Sequence, residues 1–386
     1  MAGATLRIAG EIMLIRHSQF GVEAIVIGGG PSGSAVASLL ARQGRSVEMI
    51  EQSPTAEHKV CGEFISHEAS QYLCQLGIDL EGLGALPIHG VRLSARRRIA
   101  ACSLPFPALS ITRRSLDEQL ILQAAKNGVR VLRGHRVETL QSSRGAWSAV
   151  LSDGTIRSAP AAFLATGKHD LRGYRRPSGT QNEFVAFKMY FRLSPIQQKL
   201  LYGWVELFLF PGGYAGLQLT EGLEANLCLL IHRRALHRCR NDWATMIEWM
   251  TRFSEPLAER LDGAKPLLER PLAISLKPYG LLQPSSDSGL WFLGDQAAVI
   301  PSFCGDGISI ALHSAKVASE LYERGGTPDL LAYQLHRQLR RQIALAGLLA
   351  KLMSIAPELA NLARLWPGLL RQLAMQTRIP EVELRL

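Results

Sequence analysis

Residues 23–52 read EAIVIGGGPSGSAVASLLARQGRSVEMIEQ, and the order of events in this stretch decides the fold. Ala24 to Ile27 form an apolar, β-branched run of the kind buried in a parallel sheet. Gly28, Gly30 and Gly33 follow, with Pro31 and Ser32 set among them, and then a helical pattern through Ala35, Leu39 and Leu40 that Gly44 stops. The run SVEMIE supplies a second strand ending at Glu51, with Gln52 just beyond. Glycines at such a turn let an anionic group approach the backbone, and the N–H groups of the helix start point at it. An acid closing the second strand can accept both hydroxyls of a ribose. A glycine triplet alone is weak evidence. Strand, helix, strand and acid in that order predict dinucleotide binding.

The rest of the chain is read outward from that unit. In 386 residues, 47% hydrophobic and 20% charged, there is material for two packed layers, and the composition is that of a globular protein. The apolar run IALAGLLA (343–350) is far short of a bilayer span. Residues 1–20 read as a loose extension, not a signal peptide. Six cysteines without a CxxC pair suggest neither a disulfide framework nor a metal site, which favours the cytoplasm. The net charge of +10 is spread along the chain, and the densest cluster, RRR at 96–98, has no interleaved aromatics, so nucleic acid is not an expected partner.

Residues 110–134 read as loop, helix and strand, and 148–172 as a hairpin with an Asp-Gly turn followed by a buried strand. From 184 to 232 the α/β alternation gives way to FVAFKMYFRL, WVELFLF, YAGLQLT and NLCLLIH, expected as consecutive antiparallel strands. The α/β pattern returns at 289–322. The tail from 331 to 378 is helical and Leu-rich, with seven basic residues against Glu358 alone. It reads either as helices capping the core or as a membrane-facing surface.

Four motifs in this order resemble the FAD-dependent superfamily of aromatic hydroxylases, flavin-dependent halogenases and geranylgeranyl reductases, over roughly residues 22–325. They are the glycine fingerprint with Glu51, Arg113 in RRSLD, ATGKHDLR at 165–172, and GDQAAVIPSFCGDGIS at 294–309. The resemblance implies a glutathione-reductase-type, Rossmann-like α/β domain with an inserted antiparallel sheet and C-terminal helices. Residues 21–75, 100–178 and 280–325 would bind FAD, 76–99 and 179–279 would form the substrate domain, and 326–386 the helical segment. Cofactor contacts are implied for Gly28, Gly30, Pro31, Ser32, Gly33, Glu51, Gln52, Cys61, Gly62, Arg113, Val137, Thr166, Gly167, Gly294, Asp295, Pro301, Gly305, Asp306, Gly307 and Ile308. No metal is implied.

Two departures bear on the reaction. Thr166 stands where the hydroxylases carry an aspartate, and the Trp-x-Trp-x-Ile-Pro signature of tryptophan halogenases is missing. VCGEFIS (60–66) is most similar to the geranylgeranyl reductases, which carry Cys-Gly there, and SFCGDGIS (302–309) places Cys304 beside a second glycine loop. Both loops are expected on one flavin ring. Cys61 is either a small residue chosen for fit or a shaper or proton donor beside flavin N5; Glu63 is a candidate acid and Tyr214 a candidate substrate contact. Trp204, Phe208 and Phe210 suggest an apolar wall, and Lys188 reads as a solvated strand lysine. The expected activity is reduction or dehydrogenation of an isoprenoid, polyketide or aromatic molecule by hydride transfer, with a monooxygenase and then a halogenase as alternatives. The electron donor is left between NADPH and a separate reductase, and contact with a membrane surface or carrier protein is a further expectation.

Overall fold

The computed structural model describes residues 21–143, 145–177, 183–275, 278–284, 288–355, 367–376 and 378; the extension at 1–20 lies outside them. In chain order the strands are β1 (Ala24–Ile27), β2 (Val47–Glu51), β3 (Phe64–Ile65), β4 (Leu86–Ala95), β5 (Arg98–Ser110), β6 (Arg130–Arg133), β7 (Val137–Ser143), β8 (Ala146–Leu151) and β9 (Ile156–Ala159). There follow β10 (Ala161–Leu164), β11 (Phe184–Arg192), β12 (Trp204–Phe210), β13 (Gly213–Leu219), β14 (Ala225–His232), β15 (Lys265–Pro266), β16 (Leu272–Ser275) and β17 (Trp291–Phe292). The helices are α1 (Pro31–Arg42), α2 (His67–Leu76), α3 (Arg113–Lys126), α4 (Pro195–Leu201), α5 (Arg233–Arg238), α6 (Trp243–Phe253), α7 (Glu255–Leu261), α8 (Gly307–Glu323), α9 (Pro328–Ile355) and α10 (Pro367–Gln376).

A five-stranded parallel sheet, β17-β10-β1-β2-β6, carries the glycine turn. Its central strand is apolar at every position because both faces are covered. Ala24 and Val26 pack with the helices, including α1, α3 and α8, while Ile25 and Ile27 pack against the small sheet β7-β8-β9. The Asp-Gly hairpin read from the sequence is the β8–β9 turn.

The second sheet has nine strands, in the order β15-β11-β14-β13-β12-β4-β5-β3 with β16 also on β11. It departs from the sequence reading in three ways. First, β11 pairs with β14 and not with its neighbour β12, because α4 intervenes and carries the chain away. Second, β12 runs parallel to β4, so the sheet is mixed. Third, β5 is one long strand of this sheet and β3 adds at its edge, so the boundaries expected near 75 and 100 do not separate the sheets. One face of the sheet is closed by α6 and α7 through Met246, Met250 and Leu257. The other face looks toward the parallel sheet across a cavity. Among the described residues no helix is long and apolar enough to cross a membrane.

Candidate active site

A cavity of about 1010 Å³ runs from the glycine turn to the large sheet. At its first end, Gly28 sits at φ 104°, and a Cβ there would lie 2.5 Å from the Ala165 carbonyl oxygen. A Cβ on Gly33 would fall 1.8 Å from the Gly28 carbonyl oxygen, so the third glycine serves the turn itself. α1 begins at Gly30 with no side chain capping it, and Gly30, Pro31 and Ser32 line the cavity. Its positive end is therefore offered to a ligand. The Gly29 N–H donates to Glu51 at 2.6 Å and the Ser53 N–H to the other Glu51 oxygen at 2.9 Å, which holds the acid at the cavity with lone pairs to spare. Gln52 and Val137 also border the cavity.

The Cys-Gly loop lies next along it. The Cys61 sulfur is half-buried and accepts the Glu63 N–H at 3.3 Å, while Asn226 donates to the Cys61 and Gly62 carbonyls at 3.1 and 3.0 Å. Glu63, at φ 62°, has no exposed surface and is part of the cavity wall. It accepts the Arg113 N–H at 2.7 Å and the Tyr190 hydroxyl at 2.7 and 2.8 Å, and pairs with Lys188 at 2.5 Å. Burial pushes the Glu63 carboxyl up against the opposing pull of Lys188. The expectation of a solvated Lys188 is corrected: it is fully buried and also donates to the Lys59 carbonyl. The Arg113 side chain is clamped by both oxygens of Asp117 at 2.8 Å, and its guanidinium nitrogen stands 3.6 Å from where a Gly30 Cβ would be.

The second signature closes the site. Asp295 borders the cavity, and Gln296 donates to the Gly167 and His169 carbonyls, joining this motif to ATGKHD. Thr166 donates to the His169 carbonyl at 2.6 Å, and Lys168 reaches the Val60 carbonyl in the Cys-Gly loop. Gly305, at φ 74°, lies against Phe64, where a Cβ would be 2.5 Å from the ring, and Ser66 and Ser309 hydrogen-bond at 2.7 Å. VCGEFIS and SFCGDGIS thus meet at one site, with Cys61, Gly62, Cys304, Gly305, Gly307 and Ile308 on the same cavity. Gly33, Gly294, Pro301 and Asp306 shape these loops without lining it. Gly294 is packed on Ser32, and the Asp306 carboxylate is turned to Arg378, because both positions face protein on the far side of the turn.

The far end of the cavity is apolar, and its sidedness corrects the expected wall. Along β12, Val205, Leu207 and Leu209 face the cavity, whereas Phe208 and Phe210 face the helical layer, where Phe210 meets Trp249 edge-on. Trp204 lies under the Arg92 guanidinium, 4.1 Å from its carbon. Tyr214 reaches the cavity with its ring, edge-on to Phe303; its hydroxyl is buried and held neutral because burial pushes it well up. Leu349 and Met353 of α9 complete the enclosure.

The residues fit the adenosine, pyrophosphate and ring of FAD, since the glycine cradle leaves room only for backbone and the uncapped α1 faces the cavity. Residues 21–162 match the FAD binding domain family. The chain is similar to menaquinone reductase of Mycolicibacterium smegmatis, 27% identical over 344 residues that cover 80% of this chain and 78% of that protein. The chain is an FAD-dependent oxidoreductase. Tryptophan 2-halogenase of Chondromyces crocatus is 24% identical to this oxidoreductase over 76% of its length and 60% of the halogenase. Its fold is shared with a flavin-dependent brominase (TM-score 0.76, 16% identity, 92% and 93% of the two chains) and with the myxobacterial chondrochloren halogenase (TM-score 0.72, 18% identity, 92% and 90%).

Reading the sequence of this oxidoreductase missed Lys168, Asn226, Tyr190 and Arg378, each of which reaches the site loops from a remote segment. Asp306 is pushed up to about 7 by burial, with Glu68 adding to the rise and Arg378 opposing it. A carboxyl whose folded-state value exceeds its unfolded one contributes stability in acid and loses it as pH rises, here between about 4 and 7. The stability of the wild type relative to Asp306→Asn is therefore expected to fall by roughly 4 kcal/mol across that window. Urea unfolding of both proteins at about pH 4.5 and about pH 8 checks the sign.

Proposed function

We propose that this oxidoreductase reduces or dehydrogenates a hydrophobic isoprenoid molecule, with an isoprenoid quinone of the menaquinone class as the first substrate to test. The observation that carries the reading is the continuity of the FAD groove with an apolar chamber walled by Leu93, Leu207, Leu209, Leu230 and Ile274. The relative named menaquinone reductase, matched over most of both chains, supports it. Bound FAD supplies two-electron transfer at its ring. The protein's part is to bind, orient and keep water out. Apolar walls desolvate the substrate and gain about 25 cal/mol for each Å² of apolar surface covered. Asn226 and Lys168 fix the Cys-Gly loop, on which Cys61 borders the cavity. We assign to that thiol the placing of a proton at the substrate. The halogenase alternative needs a lysine to carry the activated halide, and Lys188 is poorly placed for that because it has no exposed surface and is paired with Glu63 at 2.5 Å.

The test is anaerobic mixing of photoreduced enzyme with menaquinone in detergent. Return of the oxidised flavin spectrum without oxygen supports the proposal. Turnover that requires oxygen, consumed in step with substrate, would overturn it in favour of monooxygenation. In the same assay Cys61→Ser, which keeps an exchangeable proton, is expected to retain more turnover than Cys61→Ala, with FAD content unchanged in both.

A further inference from the structure

We infer that Arg378 is a positioning residue for the loop that faces the flavin ring, delivered across the molecule by the C-terminal segment. α10 packs on β5 and leads the chain to Arg378, which borders the cavity beside Gly305. Its Nη1 donates to Asp306 Oδ1 at 2.6 Å and its Nη2 to the Cys304 carbonyl at 2.9 Å. The guanidinium therefore bridges the residues on either side of Gly305 and fixes the turn between them. Its carbon also stands 4.6 Å from the Phe106 ring centre and 5.7 Å from that of Phe64, the ring on which Gly305 rests. A second acid, Glu68, lies 4.0 Å away.

The arrangement is specific to arginine. A planar fork can hold a carbonyl and a carboxylate at once while stacking on aromatic faces; an ammonium supplies charge without that geometry. Asp306 is 1% exposed and sits immediately before α8, and its second oxygen has no hydrogen-bond partner among the described residues. Arg378 is the cation that makes this buried acid tolerable, and the acid in turn anchors the cation over the loop. Gly305, Gly307 and Ile308 border the cavity while Asp306 does not, so Arg378, itself at the cavity edge, holds the turn through a carboxylate set behind it. What it sets is the attitude of the backbone at the start of α8 toward the flavin. The inference rests on the assignment of that loop to FAD.

The experiment compares wild-type holoprotein with Arg378→Met, Arg378→Lys and the double variant Arg378→Met/Asp306→Asn, at alkaline pH where Asp306 is ionised. FAD affinity, the shape of the visible flavin bands and iodide quenching of flavin fluorescence report the ring's surroundings, and urea unfolding reports stability. Arg378→Met is expected to bind FAD about tenfold more weakly, as loss of a contact that holds a ligand-facing loop does, and to admit iodide more readily. Arg378→Lys should fall between it and wild type. The double variant removes the stranded acid, so its stability should recover while its flavin spectrum and quenching stay altered. Recovery of all three flavin readouts in the double variant would reduce Arg378 to a stabilising ion pair and overturn the inference, as would flavin readouts unchanged in every variant. Should Arg378→Met fail to fold, the double variant and Arg378→Lys carry the comparison alone. Wild-type protein that binds no FAD would instead overturn the cofactor site.

Discussion

Gly33→Ala is expected to be isolated with little or no FAD. The added methyl would lie 1.8 Å from the Gly28 carbonyl oxygen and 3.0 Å from its carbon, and both are backbone atoms that no side-chain rotation can move aside. Relief has to come from separating α1 from the turn after β1, which is the surface on which the pyrophosphate is expected to lie. Overpacking of this kind costs about 1–3 kcal/mol. Expressed in cofactor affinity, that is roughly a five- to 150-fold loss. Gly347 is the control: it lies within α9, away from the cavity lining, and nothing lies within 4 Å of a Cβ there, so Gly347→Ala should keep FAD at the wild-type level. Flavin released per protein on heating, and titration of the apoprotein with FAD, measure both. Normal FAD binding by Gly33→Ala would mean that the turn does not cradle the cofactor.

Lys188→Met is expected to be the most destabilising single change at the site. It leaves the Glu63 carboxylate, with no exposed surface, facing an apolar side chain, and breaking a buried pair from one side costs about 3–5 kcal/mol. The remaining Tyr190 and Arg113 donors soften the loss without supplying charge. Adding Glu63→Gln to Lys188→Met removes the stranded charge and should return most of the stability. Chemical denaturation of the four proteins of this cycle gives the coupling directly. Additive effects would show that the pair does not act as a unit.

How much of this was legible in the sequence depended on the range of the interactions involved. The turn after β1 was readable because its strand, glycines, helix and acid fall within 30 residues and each constrains the next. The order of the cofactor motifs survived for the same reason. The wall of the chamber did not: in WVELFLF both parities contain apolar residues, so nothing in the alternation says whether Leu207 and Leu209 or Phe208 and Phe210 face a ligand. Packing of α6 and α7 on one side decides it. Lys188 was misread because its acid is 125 positions earlier, and an isolated strand lysine looks solvated until the partner is known. Arg378 was hidden among seven basic residues of a tail whose charge resembled a surface pattern.

The strand that lines the chamber also walls the helical core, and the two duties fall on alternate residues. Glu206 is tied to Arg92 and Arg260, and Phe208 and Phe210 are locked in the layer beneath, while Val205, Leu207 and Leu209 touch only the chamber side. Substitutions at the odd positions can therefore reshape the chamber without entering the packing of the sheet on α6 and α7. In evolutionary terms the chain owns a panel on which substrate preference can drift while foldability is held on the reverse side.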